Sequence, residues 1–255
     1  MNTIDLNADL GESFGAWRMG DDAGVMPWIT SANVACGFHA GDPVTIRRTL
    51  ALCIEHGVAI GAHPSLPDLQ GFGRREMKIS QDEVYAQTLY QIGALEALAR
   101  AAGSHLHHVK PHGALYNMAA RDRDLADAIA AAVRDFDPCL ILVGLAGSRL
   151  IDAGRDAGLT VLREGFCDRR YQPDGSLAPR TQAGSVIEDI DTAVAQAVAI
   201  AAHAEIAATD GSLVRVEADT LCVHGDRANA AVFAERLRRA LENAAVRVAA
   251  TESPT

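Results

Sequence analysis

Five apolar runs in this chain each end in a knot of acidic, basic or imidazole side chains with glycine or proline beside it: 5–12, 33–39, 61–64, 109–113 and 222–226. An apolar run closed by such a knot reads as a buried strand passing into a loop. In a parallel α/β fold the strand C-termini share one rim, so polar groups placed there repeatedly converge on one site. The pattern therefore points to an enzyme before it points to a reaction.

The remaining segments fit that frame. Strands are expected near 3–9, 31–36, 58–63, 106–111, 139–144, 159–163 and 220–224. Asp42-Pro43 starts a helix that should stop at Gly57, because aspartate caps, proline suits the first helical position and glycine closes the end. Ser80-Gln81-Asp82-Glu83 is a capping box before a long helix ending at Gly103. Further helices are expected near 122–134, 147–157, 189–208 and 228–246. A hairpin is expected at Asp210-Gly211. Repeated βα units imply parallel strands, either closed into a barrel or doubly wound.

The first strand favours the barrel. Asp5, Asn7 and Asp9 share one face, and Ile4, Leu6, Ala8 and Leu10 the other. A strand between two helix layers is apolar on both faces, so a wholly polar face belongs in a barrel interior. A single barrel domain over 1–250 follows, with 251–255 as a disordered tail.

The formal net charge of −10 argues against nucleic acid and against an anionic membrane surface as partners. The five cysteines are odd in number and form no CxxC pair, which suits reduced thiols in the cytoplasm. No basic-then-apolar leader precedes the first strand.

Asp9 and Glu12, at a strand end, suit a general base or metal ligand, whereas Asp5, deeper in the strand, reads as structural. His39, His63, His112 and His224 end different runs, which raises them above the usual structural histidine. His39 also precedes a helix start whose amides suit an anion. Lys110 has inward parity and suits an electrophile or a buried ion pair with one of the acids. Asn7, Asn33 and His224, with Arg74, Arg169 and Arg180 on two long loops, are candidates for holding substrate. Asp9, His63 and His112 are the candidate metal ligands. Cys36 packs towards the helices rather than acting as a nucleophile. His105 and His107 sit in a polar linker and are assigned no role. No phosphate loop, dinucleotide fingerprint or nucleophile elbow occurs.

The strings Asp5–Glu12, Ser31–Pro43, Ala62–Ser65, Val109–Asn117 and Cys222–Asp226 resemble the LamB/YcsF family, that of the bacterial 5-oxoprolinase A subunits. The resemblance extends to the Gly71–Arg75 and Asp168–Tyr171 loops. It implies a seven-stranded, TIM-like (β/α) barrel similar to carbohydrate deacetylases. It also implies ATP-dependent opening of 5-oxo-L-proline to L-glutamate, with Mg²⁺ accompanying the ATP and with partner subunits B and C. Two other readings of the same residues stay open. One is a metal-dependent, ATP-independent amide or acetyl hydrolase, and the other is a non-catalytic lactam-binding subunit.

Overall fold

The computed structural model describes residues 2–179, 182–224 and 229–252, without the His224 side chain. Its strands are β1 (Thr3–Leu10), β2 (Ser31–Ala35), β3 (Ala59–His63), β4 (His108–Val109), β5 (Ile141–Leu145), β6 (Val161–Phe166), β7 (Glu205–Ala207), β8 (Leu213–Arg215), β9 (Thr220–His224) and β10 (Arg247–Val248). Its helices are α1 (Asp22–Val25), α2 (Pro43–His56), α3 (Gln81–Ala101), α4 (Gly113–Arg121), α5 (Arg123–Phe136), α6 (Arg149–Asp156), α7 (Ile190–His203) and α8 (Ala230–Asn243).

Among the described residues, seven parallel strands close a barrel in the order β1-β2-β3-β4-β5-β6-β9, with β9 pairing back onto β1. β10 adds to the start of β1 outside the ring, and β7 and β8 form the small hairpin expected at Asp210-Gly211. The apolar face of β1 (Ile4, Leu6, Ala8, Leu10) is buried in the main core. Burying each of its large aliphatic side chains contributes about 1.5–3 kcal/mol. The opposite face meets the other strands across the lumen. Ile141, Val143 and Leu162 form a separate apolar cluster on β5 and β6.

The lumen beside β1 is polar and hydrogen-bonded. Thr30, Ser31 and Thr220 hydroxyls all donate to the Asp5 carboxylate. Burial raises the Asp5 pKa, and these three bonds oppose the rise. Asp5 is thus a structural group, as its depth in the strand suggests.

Local signals place most element ends. Asp42 accepts from the Val44 and Thr45 amides, and Gly57 ends α2 at φ 65°, in the left-handed region that glycine enters without a Cβ clash. The capping box at Ser80 and Glu83 is formed at the start of α3.

Several boundaries differ from the sequence expectation. β4 has two residues rather than six, and Pro111, which lacks an amide, cannot extend the ladder beyond Lys110. β6 continues to Phe166, three residues past the expected end, since its pairing with β9 carries Glu164, Gly165 and Phe166. α7 stops at His203, where Ala204 turns left-handed at φ 56° and hands the chain to β7. α4 has no counterpart among the expected helices: its first residue is Gly113 at φ 56°, a poor helix start by composition. No described helix is long and apolar enough to cross a membrane.

Candidate active site

The strand register brings the inward groups together. Asp9 lies beside Asn33, Asn33 beside Gly61, and Gly61 beside His108. His108 fills the space a side chain at position 61 would take: a Cβ there would lie 2.1 Å from His108 Nε2. His108 Nε2 donates to Asn33 Oδ1 at 2.8 Å. The Asn33 amide then donates to Asn7 Oδ1 at 2.7 Å and to Asp9 Oδ1 at 2.9 Å. Asn7 donates in turn to Glu164 Oε1 and Thr220 Oγ1. Asn7 and Asn33 are not among the residues lining the cavity described below. Their amides orient charged neighbours, a different role from the substrate contact expected of them.

Lys110 is the hub of this network. Its ammonium lies 2.9 Å from Asp9 Oδ1, 2.7 Å from Glu164 Oε1 and 2.9 Å from Asn7 Oδ1. Burial alone would push its pKa down, but the Asp9 and Glu164 carboxylates outweigh burial and hold it well above the usual lysine range. The sequence offers Asp9 or Glu12 as the acid beside Lys110, and Asp9 is the one found. Glu164 escapes the sequence reading because the expected end of β6 falls before it. Its parity with Leu162 and Phe166 is the signal that, with the correct strand end, turns it inward.

The imidazoles form a second group against the first. His63 Nδ1 donates to the Lys110 carbonyl at 2.6 Å, leaving Nε2 as the free lone pair. His112 Nε2 donates to the Phe72 carbonyl at 2.9 Å, leaving Nδ1 free. The two free nitrogens lie 3.1 Å apart. His39 stacks on His112 with ring centres 3.8 Å apart, and its Nε2 lies 3.5 Å from Glu12 Oε1. His63 Nε2 is 3.4 Å from Asp9 Oδ1. Burial, reinforced by the neighbouring imidazoles, holds His39 and His112 well below the ordinary histidine range.

Two loops wall the site. In the first, the Asp68 carboxylate takes the Gly71 and Arg75 amides and the Arg75 guanidinium. This pinned turn presents the Phe72 carbonyl to His112. Gly73, at φ 64°, lies where a Cβ would sit 2.4 Å from Ser65 Oγ, so a side chain there is excluded. In the second, Gln196 of α7 donates to the Phe166, Cys167 and Arg169 carbonyls, and the Tyr171 hydroxyl accepts from the Phe166 amide. Arg169 Nη2 donates to the Ala178 carbonyl.

Between the loops lies a cavity of about 600 Å³ at the strand C-terminal rim. Asp9, His63, Lys110, His112 and Glu164 form its floor, and Arg74 and Arg169 face it from the two loops. Glu12 and His39 are buried beside His63 and His112 rather than lining the cavity. Tyr116, which no sequence signal marks as a site residue, lines the wall near Glu164; burial, and then that carboxylate, raise its hydroxyl pKa well above the usual range. Arg180, expected at the site, lies outside the described residues, as does the His224 side chain, although the His224 backbone pairs with Asp9.

One sequence expectation needs correction. The start of α2 is capped by Asp42, so its Val44 and Thr45 amides are taken and do not offer an anion site beside His39. His107, assigned no role at the site by the sequence, makes structural contacts with His108 Nδ1 and the Thr251 carbonyl and does not line the cavity. Cys36 meets its expectation: it is buried, with its thiol pushed up to about 12 by that burial, which leaves it unreactive.

A parallel barrel with a charged cavity at its C-terminal rim defines an enzyme-type (β/α) barrel. The comparisons narrow the class. The sequence profile of the LamB/YcsF family matches residues 4–255, and the chain belongs to that family. It is 58% identical over 248 residues to the 5-oxoprolinase A subunit of Methylococcus capsulatus, covering 97% of this chain and 95% of that one. It is 56% identical to the 5-oxoprolinase A subunit of Bordetella pertussis, covering 97% and 98%. The crystal structure of the lactam utilization protein of Thermus thermophilus superposes with a TM-score of 0.92 at 52% identity, covering 98% of this chain and all of that one.

Proposed function

We propose that this chain is the A subunit of an ATP-dependent 5-oxoprolinase, acting with subunits B and C to open 5-oxo-L-proline to L-glutamate. The observation that carries the reading is the charge layout of the cavity. The two loops offer the guanidinium groups of Arg74 and Arg169, suited to a substrate carboxylate. The floor offers the Asp9 carboxylate, suited to taking a proton from water. Its close relatives carry the name of this activity over nearly their whole length.

A five-membered lactam is a stable amide. Phosphorylation of its amide oxygen by ATP makes the carbonyl carbon electrophilic. Water, deprotonated by Asp9, attacks that carbon and the ring C–N bond breaks, its nitrogen taking a proton, which leaves the side-chain carboxyl as an acyl phosphate; a second water cleaves that acyl phosphate, and glutamate, ADP and phosphate result. Lys110, held charged among Asp9, Glu164 and Asn7, fixes the Asp9 carboxylate in place and offsets negative charge at the floor. The nucleotide enters with Mg²⁺, which neutralises its phosphates.

The test is reconstitution. The chain mixed with subunits B and C, ATP and Mg²⁺ should convert 5-oxoproline to glutamate with one ADP per turnover, and omission of any subunit should abolish it. Brisk lactam opening by the isolated chain without ATP would replace this reading with a simple hydrolase.

A further inference from the structure

We propose that Glu12, His39, His63 and His112 bind one divalent transition-metal ion of the zinc class. One donor atom from each of the four lies within 4.8 Å of the others, and all four residues are buried. The hydrogen bonds show which atoms are available. His63 Nδ1 and His112 Nε2 are both committed to backbone carbonyls, which turns the lone pairs of His63 Nε2 and His112 Nδ1 towards each other at 3.1 Å. Two lone pairs at that distance repel unless a cation lies between them.

A shared proton or a metal would supply that cation, and the surroundings favour the metal. A shared proton needs two nitrogens, whereas four donors converge here. Neither ring nitrogen of the buried His39 has a hydrogen-bond partner among the described residues, and its Nε2 lies 3.5 Å from Glu12 Oε1. Glu12 Oε1 is also 3.8 Å from His112 Nδ1. Tetrahedral zinc with bonds of about 2.0–2.1 Å holds its ligand atoms about 3.3 Å apart. The observed spacings of 3.1, 3.5 and 3.8 Å bracket that value. The backbone carbonyls on the far nitrogens of His63 and His112 are the outer partners that metal-ligating histidines ordinarily have. Three imidazoles and one carboxylate suit zinc, cobalt or iron rather than magnesium. His63 and His112 also line the cavity, so an ion held by them borders the cavity floor and the Asp9 carboxylate.

The assignment stands on ring geometry and does not depend on the lactam reaction. The full chain is stripped with a chelator, exposed to Zn²⁺ or Co²⁺ and desalted, and its metal content is measured by mass spectrometry. One ion per chain is expected, with the visible absorption of four-coordinate Co²⁺ and a thermal midpoint raised by Zn²⁺. Glu12→Gln and His112→Gln should each weaken retention at least tenfold, while His105→Gln, on the surface, should keep the full complement. If the histidine variant does not fold, Glu12→Gln and the wild-type cobalt spectrum decide. Wild type that retains no stoichiometric Zn²⁺ or Co²⁺ overturns the proposal. So does a folded Glu12→Gln that retains as much as wild type. So does a downfield imidazole proton resonance that persists unchanged when Zn²⁺ is added, because it marks a shared proton. None of these readouts uses substrate, so their failure is separate from failure of the oxoprolinase reading.

Discussion

Lys110 Nζ sits 2.7 Å from Glu164 Oε1, with lysine and glutamate both essentially inaccessible to water. The same ammonium holds Asp9 at 2.9 Å, so one cation serves two carboxylates inside the barrel. Removing the cation strands both acids, and breaking a buried pair from one side costs about 3–5 kcal/mol. Lys110→Met should lose stability of that order, together with turnover in the reconstituted complex. Adding Glu164→Gln to it should restore part of the stability, because one stranded charge is neutralised. Denaturant unfolding of both variants checks this; equal stability of the single and double variants would refute the pairing.

Gly61→Ala places a methyl group 2.1 Å from His108 Nε2, and the ring cannot retreat without releasing Asn33. Overpacking of this kind costs about 1–3 kcal/mol. Turnover should fall as well, because Asn33 would no longer be oriented towards Asp9. Unfolding free energy and activity, measured on the same preparation, test both halves.

The buried histidines predict an acid-sensitive fold. Burial first, and then neighbouring positive or imidazole groups, hold His39, His108 and His112 well below the ordinary range. In the unfolded chain they titrate near about pH 6.5. The unfolded state therefore binds more protons below that pH, so stability is full above it and declines as pH falls. The slope is about 1.4 kcal/mol per pH unit for each histidine that stays neutral in the fold. Thermal midpoints of the chelator-treated chain across this range should show the decline, and His108→Gln should flatten it. Parallel curves for wild type and His108→Gln would rule out the contribution of His108.

Arg74 is exposed, with its guanidinium 4.7 Å from the Phe72 ring centre, and it lines the cavity. If it holds the substrate carboxylate, Arg74→Ala should raise the KM for 5-oxoproline by about 10–100-fold, the worth of one charge-assisted hydrogen bond of about 1.5–3 kcal/mol. The change in folding stability should stay within about 0.5 kcal/mol, as at most surface sites. A fall in kcat with KM unchanged would place Arg74 in another role.

The sequence by itself determined the barrel and the rim. Polar parity along Asp5, Asn7 and Asp9, and the glycine or proline after each knot, are local signals that need no partner to be read. They sufficed to bring Asp9, His63, Lys110 and His112 to one cavity. Tertiary structure alone decided which groups pair. Glu164 meets Lys110 because β6 runs on against β9, which no local pattern specifies. Asn7 and Asn33 became positioning groups because strand register set their amides against Asp9, Glu164 and His108. The tautomers of His63 and His112, and so the direction of their lone pairs, follow from the carbonyls of Lys110 and Phe72. Those carbonyls arrive from a neighbouring strand end and a distant loop. Parity tells which way a side chain points, whereas a hydrogen-bond partner across the lumen depends on register, strand length and loop closure.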